Sequence, residues 1–406
     1  MKSSLKQLLQ LPVLVAALGY LVDMYDLFLF SVVRVPSLKS LGIEGDKILS
    51  EGVSLLNFQL AGLLLGGILW GILGDKKGRL SVLFGSIILY SLANIANGFV
   101  TNTSQYAMLR FVAGIGLAGE LGAGITLVAE ILPQKLRGYG STIVATMGVL
   151  GGVLAYFVAD LFAWRISYFV GGGLGLLLLV LRFNVFESGM FLKLKNEKVK
   201  RGKVLMLFNN GERFKKYILA IIVGVPLWFV VGVLITFSPE FGKNLGFEEP
   251  INAGKAVMLA FTGQTFGDIC SGILSQFLKS RKKAIAIFMI LSYCFMMIYL
   301  MAPIQNTSQF YFLCACLGFC NGYWTLFIIL AAELFGTNLR ATVATSIPNF
   351  VRGAAIPLTS LFVLLKPQFG VSSGALIIGT VTVLLALLAL YFLEETFKKE
   401  LDYEDV

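Results

Sequence analysis

The chain has 406 residues, 57% hydrophobic and 14% charged, with a mean hydropathy of +0.82. Soluble domains carry about 25% charged residues, so a soluble enzyme or binding module is excluded and a polytopic membrane protein is implied. A net charge of +10 without a single histidine leaves any proton chemistry to carboxylates and asks where the basic excess sits.

In chain order, twelve apolar runs are each long enough to span a bilayer: 11–33, 52–73, 80–100, 105–131, 139–161, 165–186, 216–238, 254–278, 284–303, 309–332, 341–364 and 372–393. A span needs roughly 20 apolar residues, and in lipid its backbone must satisfy itself, so these runs are predicted to be helices. The first run is too long for a cleavable signal peptide and reads as a retained span. Only 187–215 is long and hydrophilic, which gives three segments: a bundle at 1–187, a linker at 188–215 and a second bundle at 216–406. The remaining loops are short except 34–51 and 239–253, so no large receptor or enzymatic domain projects from the membrane. Abundant glycine, 44 residues, is expected to serve close helix packing.

With the N-terminus inside, alternate loops hold 23 of the 33 Lys and Arg. This places both termini in the cytoplasm of a cell (inner or plasma) membrane protein. The basic run 193–203 reads as a solvated linker beside anionic lipid, not a nucleic-acid patch. All five cysteines lie in apolar runs, which argues against a disulfide framework. Cys316 and Cys320 share a helix face but have no histidine to help them, so no metal site and no cofactor are expected. The expected partners are a small-molecule substrate, protons and the lipid bilayer, and the chain is read as a monomer.

The chain repeats itself at half-length. Residues 71–82, GILGDKKGRLSV, recur as 272–283, GILSQFLKSRKK, 201 residues on (71 to 272); Glu130-x6-Arg137 recurs as Glu333-x6-Arg340, 203 residues on (130 to 333). Internal symmetry in a membrane chain points to a secondary transporter.

Gly71-x3-Asp75-Lys76-Lys77-Gly78-Arg79, falling between the second and third spans, resembles the corresponding loop of the major facilitator superfamily. The two E-x6-R elements resemble the cytoplasmic ends of spans 4 and 10 in its sugar-porter and metabolite–proton symporter branches. Phe186-Glu187-Ser188 and Glu394-Glu395-Thr396 resemble the acidic elements that close each half. Arg110-x3-Gly114-Ile115-Gly116-x2-Gly119-Glu120 and Gly19-x3-Asp23-x-Tyr25-Asp26-Leu27-Phe28 resemble spans 4 and 1 of metabolite–proton symporters. The resemblance implies an all-α fold of twelve transmembrane helices in two pseudo-symmetric six-helix bundles, with a cavity between spans 1, 2, 4, 5 and 7, 8, 10, 11. It also implies that Asp75, Arg79, Glu130 and Arg137, with Arg281, Glu333 and Arg340, form cytoplasmic gate salt bridges. There are departures. Gln276 stands where the first half has Asp75, and Ser280-Arg281 where it has Gly-Arg. Gly232 in span 7 lacks the acidic residue of phosphate symporters, and span 5 lacks the Gly-Pro element of drug antiporters.

Ionisable residues inside a span are functional candidates by default. Asp23 and Asp26 lie near the middle of span 1 and share a face at i, i+3. Glu120 lies near the middle of span 4. Close carboxylates at low dielectric cannot easily both ionise, so Asp23, Asp26 and Glu120 form the expected proton-carrying set; the alternative is that they pair with Arg110 and Arg352 to hold helices together. Arg352, at the middle of span 11, offers a fork for a carboxylate. It either contacts an anionic substrate or neutralises Asp23 or Glu120. Asn349, Gln59, Trp228, Gln264, Asn321, Tyr323 and Arg110 complete the expected substrate set, though each also has a plain packing or bridging reading. Asp268, one turn before Gly272, is assigned to the gate, and Arg182 is expected to snorkel or pair with Glu187.

The reading is a proton-coupled symporter that imports a small polar solute such as an organic anion by alternating access. An uncoupled facilitator or a proton-linked exporter stays open, and a non-transporting sensor lies further off. An enzyme is not expected, because no nucleophile–base pair is visible.

Overall fold

A computed structural model gives the fold; the described residues are 10–77, 79–119, 132, 134–186 and 209–397. Among them every regular element is helical. The first half contains α1 (Leu11–Ser40), α2 (Lys47–Lys77), α3 (Arg79–Asn97), α4 (Thr103–Leu117), α5 (Gln134–Leu161) and α6 (Trp164–Phe186). The second contains α7 (Gly211–Phe229) running into a π-helical segment (Val230–Ile235), α8 (Ser238–Asn244), α9 (Ala253–Leu278), α10 (Arg281–Met301), α11 (Thr307–Cys320), α12 (Trp324–Glu333), α13 (Thr337–Gly353) and α14 (Ala355–Phe392). Among the described residues, eight helical stretches are long and apolar enough to cross a membrane. The later part of the fourth predicted span, 120–131, lies outside the described residues.

Three departures from plain helix stand out among the described residues. Span 10 is broken by a turn at 321–323, between α11 and α12. Span 7 widens into the π segment, where Thr236 Oγ1 donates to Val231 O at 2.8 Å. Spans 11 and 12 meet within α14 at a bend where Gly370 takes φ +78°.

Why these helices pack as they do is legible on α9. Its large apolar side chains Phe266, Ile269, Ile273 and Phe277 are exposed and recur every three or four residues. That is a lipid-facing stripe. The opposite side carries Gly263, Gly267 and Ser271, and there the backbone of the neighbouring helix approaches closely. A Cβ at Gly263 would lie 2.1 Å from Ala315 O, and one at Gly267 2.0 Å from Phe319 O. The first half does the same with Gly62 against Phe111 O (2.0 Å) and Gly66 against Ile115 O (2.4 Å). Gly62-x3-Gly66 and Gly263-x3-Gly267 are again 201 residues apart. Small-residue seams of this kind let two helix backbones touch where lipid offers no hydrophobic drive for association.

The helices of the seams also start alike. Asn102 and Asn306 cap α4 and α11 through bonds from Gln105 N and Gln309 N, each 2.9 Å. Gln105 and Gln309 reach back to the N–H of Thr101 and Gln305, each 3.0 Å. These are reciprocal caps akin to the capping box, built from Asn-Thr-Ser-Gln, and they form a further internal repeat. In strict register, Lys279 takes the place of Gly78. Lys279 closes α9 in the left-handed conformation (φ +49°), where a glycine would be free of strain.

The compact units cut across the covalent halves. One holds α1 up to Leu29 and the chain from Ala61 through α6; the other holds Phe30–Leu60 with α7 onward. The sequence division at 187 and 216 therefore describes the repeat, whereas contacts carry the end of α1 and the start of α2 into the second unit. The first unit's core includes Val15, Val22, Ile87, Tyr90, Leu117 and Leu178 from α1, α3, α4 and α6.

Candidate transport site

In the first unit, Asp23 and Asp26 are both fully buried on α1. Tyr25 between them donates to Ser167 O at 2.8 Å and ties α1 to α6. Arg110 from α4 reaches the same place. Its Nη2 donates to Asp26 O at 3.3 Å, Nη1 lies 3.5 Å from Asn94 Oδ1, and the guanidinium sits 5.5 Å over the Tyr168 ring. Tyr168 and Tyr106 share a hydroxyl–hydroxyl bond of 2.6 Å. The Asp26 carboxyl thus feels the Arg110 cation and the Asp23 carboxyl together. Space for it exists because α6 has Gly171 there: a Cβ would lie 2.5 Å from Asp26 Oδ1. Asp23, Asp26 and Arg110 are gathered by the fold. Glu120 lies outside the described residues.

In the second unit, the break in span 10 exposes backbone groups that lipid could not satisfy. Two α9 side chains take them. Asp268 Oδ1 accepts from Thr325 N at 3.0 Å, in the first turn of α12, and Ser271 Oγ donates to Gly322 O at 2.6 Å. Asp268, assigned from sequence to the gate, has a helix-capping position across the seam. Asn321 Nδ2 donates to Leu227 O at 3.0 Å, which fixes its amide orientation and leaves Oδ1 as a buried acceptor without a hydrogen-bond partner among the described residues. Tyr323 Oη, Asn349 Oδ1 and both amide atoms of Gln59 are likewise buried without one among those residues. Arg352 lies in the last turn of α13, one turn after Asn349, and both are buried. Trp228 and Gln264 are buried too. Gly224 marks where α7, α12 and α13 converge, since a Cβ there would lie 2.6 Å from Val351 and 2.7 Å from Phe327. Every expected substrate-binding residue except Arg110 lies in this unit.

At the basic end of the second unit, Arg281 Nη2 lies 3.4 Å from Glu333 Oε1, Arg281 Nη1 donates to Ser275 Oγ at 3.1 Å, and Thr396 Oγ1 donates to Glu333 Oε2 at 2.6 Å. Glu395 caps α10, accepting from Ser280 Oγ, Arg281 N (2.9 Å) and Lys282 N (3.3 Å). Lys282 Nζ in turn donates to the carbonyls of Tyr391 and Leu393 at the end of α14. Burial pushes the Glu395 carboxyl up, but these bonds outweigh it and hold it below the usual glutamate range. Ser275, Ser280, Glu395 and Thr396 were missing from the sequence-derived gate, although the Glu394-Glu395-Thr396 element pointed toward them. Of that gate, Glu130 and the side chains of Asp75, Arg79, Arg137 and Arg340 lie outside the described residues, as does Glu187, the expected partner of Arg182, which is itself buried.

A membrane fold that is all-helical among the described residues, with an internal repeat, buried ionisable residues and a span broken at polar residues, is that of a polytopic transport protein. The chain belongs to the Major Facilitator Superfamily, whose family model matches residues 16–360. Among its relatives, a probable 4-methylmuconolactone transporter of Cupriavidus pinatubonensis is 26% identical over 80% of this chain and 76% of its own length. A gentisate transporter of Corynebacterium glutamicum is 24% identical over 95% of this chain and 88% of its own. The fold matches the crystal structure of a D-xylose–proton symporter with a TM-score of 0.73 at 18% identity, covering 96% of this chain and 98% of that one.

Proposed function

We propose that the protein is a proton-coupled symporter that imports a small organic anion by alternating access, working as a monomer with both termini in the cytoplasm. The observation that carries the reading is the first-unit cluster: two fully buried carboxylates on one face of α1, with Arg110 bonded to the backbone beside one of them. A fixed charge at mid-bilayer costs at least ~2.5–3.5 kcal/mol on insertion scales. Proton loading removes that cost when the carrier is occluded, and ionisation is favoured when water enters. Asp23, Asp26 and Glu120 are the proton-carrying residues in this reading.

The substrate end is read from the second unit. Arg352 supplies a permanent cation with a planar fork for a carboxylate. Asn349, Asn321, Tyr323 and Gln59 bring buried polar atoms that a polar solute would pair with, and Trp228 and Gln264 add an aromatic face and an amide. Relatives named for gentisate and 4-methylmuconolactone support a small, ring-sized organic acid. Arg281–Glu333, with the first-half residues Asp75, Arg79, Glu130 and Arg137, is read as the cytoplasmic latch. The Arg281 and Glu333 side chains each keep 14% exposure, so water can take up their charges when the contact releases.

A binding screen followed by flux tests this. Purified protein is challenged with gentisate, benzoate-like acids, neutral sugars and zwitterions in a thermal-shift assay, and each hit is tested for uptake into proteoliposomes. The expected result is stabilisation by a small carboxylate and uptake accelerated by an inward proton gradient. Stabilisation by neutral sugars alone, lost in no Arg352 variant, would overturn the anion assignment. Uptake indifferent to pH would establish the facilitator.

A further inference from the structure

The compact units assign residues 30–60, the end of α1, its loop and the start of α2, to the second-half helices, and the contacts that join them are polar. Arg34 is fully buried, and its guanidinium meets Glu240 fork to fork, with Nη1–Oε1 at 2.7 Å and Nη2–Oε2 at 2.8 Å. Paired charge-assisted bonds of this geometry are strong and directional. The same guanidinium lies 4.6 Å over the Phe237 ring and points toward the carbonyls of Thr236 and Ile48, each at 3.4 Å. Gly52 makes room for it, since a Cβ there would come within 2.7 Å of Arg34 Cδ. Three residues before Arg34, the hydroxyls of Ser31 and Thr236 meet at 3.1 Å.

Arg34 closes the first span and Glu240 follows the seventh. Counting spans puts both on the face opposite the Lys- and Arg-rich loops. A buried ion pair gives little net stability compared with apolar residues of the same shape, whereas breaking one partner away leaves a costly orphan charge. Such a pair is poorly suited to strengthening a fold and well suited to selecting one of two arrangements. Its two ends differ. Arg34 keeps the Phe237 ring and two carbonyls, while the Glu240 side chain is 15% exposed, so water can take over the carboxylate when the pair parts.

We propose that Arg34–Glu240 is the latch of an outer gate, made when the entrance opposite the basic loops is shut and broken when it opens. The proposal rests on the alternating-access reading but on neither the substrate nor the coupling ion, so it can fail while those stand, and the converse.

Ser31→Cys reports from beneath the latch, because Ser31 is 2% exposed. The five native cysteines are first replaced, and labelling by a membrane-impermeant maleimide is followed from the outer face of sealed vesicles. Glu240→Gln and Arg34→Gln are expected to raise the labelling rate by about tenfold, the population shift that weakening one charge-assisted pair produces. The swap Arg34→Glu with Glu240→Arg restores the opposite charges and is expected to return part of that rise, the remainder reflecting the Thr236 and Ile48 carbonyls and the Phe237 ring, which suit a cation at position 34. Arg34→Lys keeps the charge but loses the fork, and should give a smaller rise in the same direction; it also serves if Arg34→Gln does not fold. Parent-like labelling in the single variants overturns the proposal. So does a rise that tracks a fall in thermal midpoint and is not reversed by the swap, because that is the behaviour of a pair that only holds the fold together.

Discussion

Replacing Gly267 by alanine tests the seam between α9 and α11 at one of its tightest points. The new Cβ would sit 2.0 Å from Phe319 O and 2.9 Å from Gly322 Cα. Carbon and carbonyl oxygen come no closer than about 3.3 Å even in favourable C–H···O contacts. The helices must therefore part by roughly 1.3 Å there, and both neighbours are backbone, which cannot swing aside. The same movement loosens Gly263 and Gly318, where Cβ atoms would lie 2.1 and 1.9 Å from Ala315 O and Ala260 O. Over-packing of this kind costs about 1–3 kcal/mol, and a fall in thermal midpoint of a few degrees follows in a chain of this size. Gly272, five residues on in the same helix, is the internal control. Nothing lies within 4 Å of a Cβ there, so Gly272→Ala should be neutral or stabilising by up to about 1 kcal/mol through helix propensity. Thermal unfolding of the two variants in one detergent reads the difference. Equal losses at both positions would refute the reasoning, as would a harmless Gly267→Ala.

Gly171→Ala should strike the Asp26 carboxyl, since its Cβ would fall 2.5 Å from Oδ1; uptake is expected to drop severely while Gly173→Ala, with open space around it, transports normally. Asp268 distinguishes capping from gating: Asp268→Asn keeps an acceptor for Thr325 N and should stay near wild type in stability and flux, whereas Asp268→Leu removes the cap and should cost about 1 kcal/mol or more in a thermal melt. A gate ion pair would instead make the asparagine variant fail. Glu395, held below the usual glutamate range, gives a signed pH effect. Its folded-state value lies below the unfolded one of about 4.3, so its stabilisation is fully present above that pH and is lost as pH falls through the folded value. The midpoint of wild type should therefore drop more between pH 5 and pH 3 than that of Glu395→Gln, and parallel curves across that range would dismiss the cap.

Periodicity and internal repeats carried most of the fold. Long apolar runs have one outcome in lipid, so spans 1–3 and 5–9 emerge as helices near their expected places. The breaks were hidden because they depend on partners far away in sequence. Asn321-Gly322-Tyr323 can be irregular only because Asp268 and Ser271, some 50 residues earlier, take up the freed backbone groups. The same reason explains why Asp268 read as a gate residue: a lone acid near a span end looks identical whether it meets a cation or an N–H. Asp23, Asp26, Arg110 and Arg352 were visible because a charge in an apolar run is conspicuous. Arg34 and Glu240 were not, since each sits where a span meets a loop and charges are ordinary; the adjacent Pro36 and Pro239 were the only local hint. The cluster around Arg281 and Glu333 was only partly legible for a related reason. Ser275, Ser280 and Thr396 are common residues, and only the packing of α9, α10 and the end of α14 brings their hydroxyls to Arg281, Glu333 and Glu395.

The proposed coupling mechanism needs buried carboxylates to carry protons, and the most direct measurement of that compares two kinds of flux in one preparation. Wild-type and Asp23→Asn protein are reconstituted into proteoliposomes with a small carboxylate that stabilises the purified protein. Accumulation driven by an inward proton gradient and equilibrium exchange without a gradient are then recorded side by side. Wild type is expected to do both, acidifying the lumen as it accumulates substrate, and Asp23→Asn to lose accumulation while retaining exchange, because the neutral side chain mimics the proton-loaded carrier. Wild-type accumulation and wild-type pH dependence in Asp23→Asn, repeated in Asp26→Asn and Glu120→Gln, would contradict it and leave these carboxylates as structural members of the bundle.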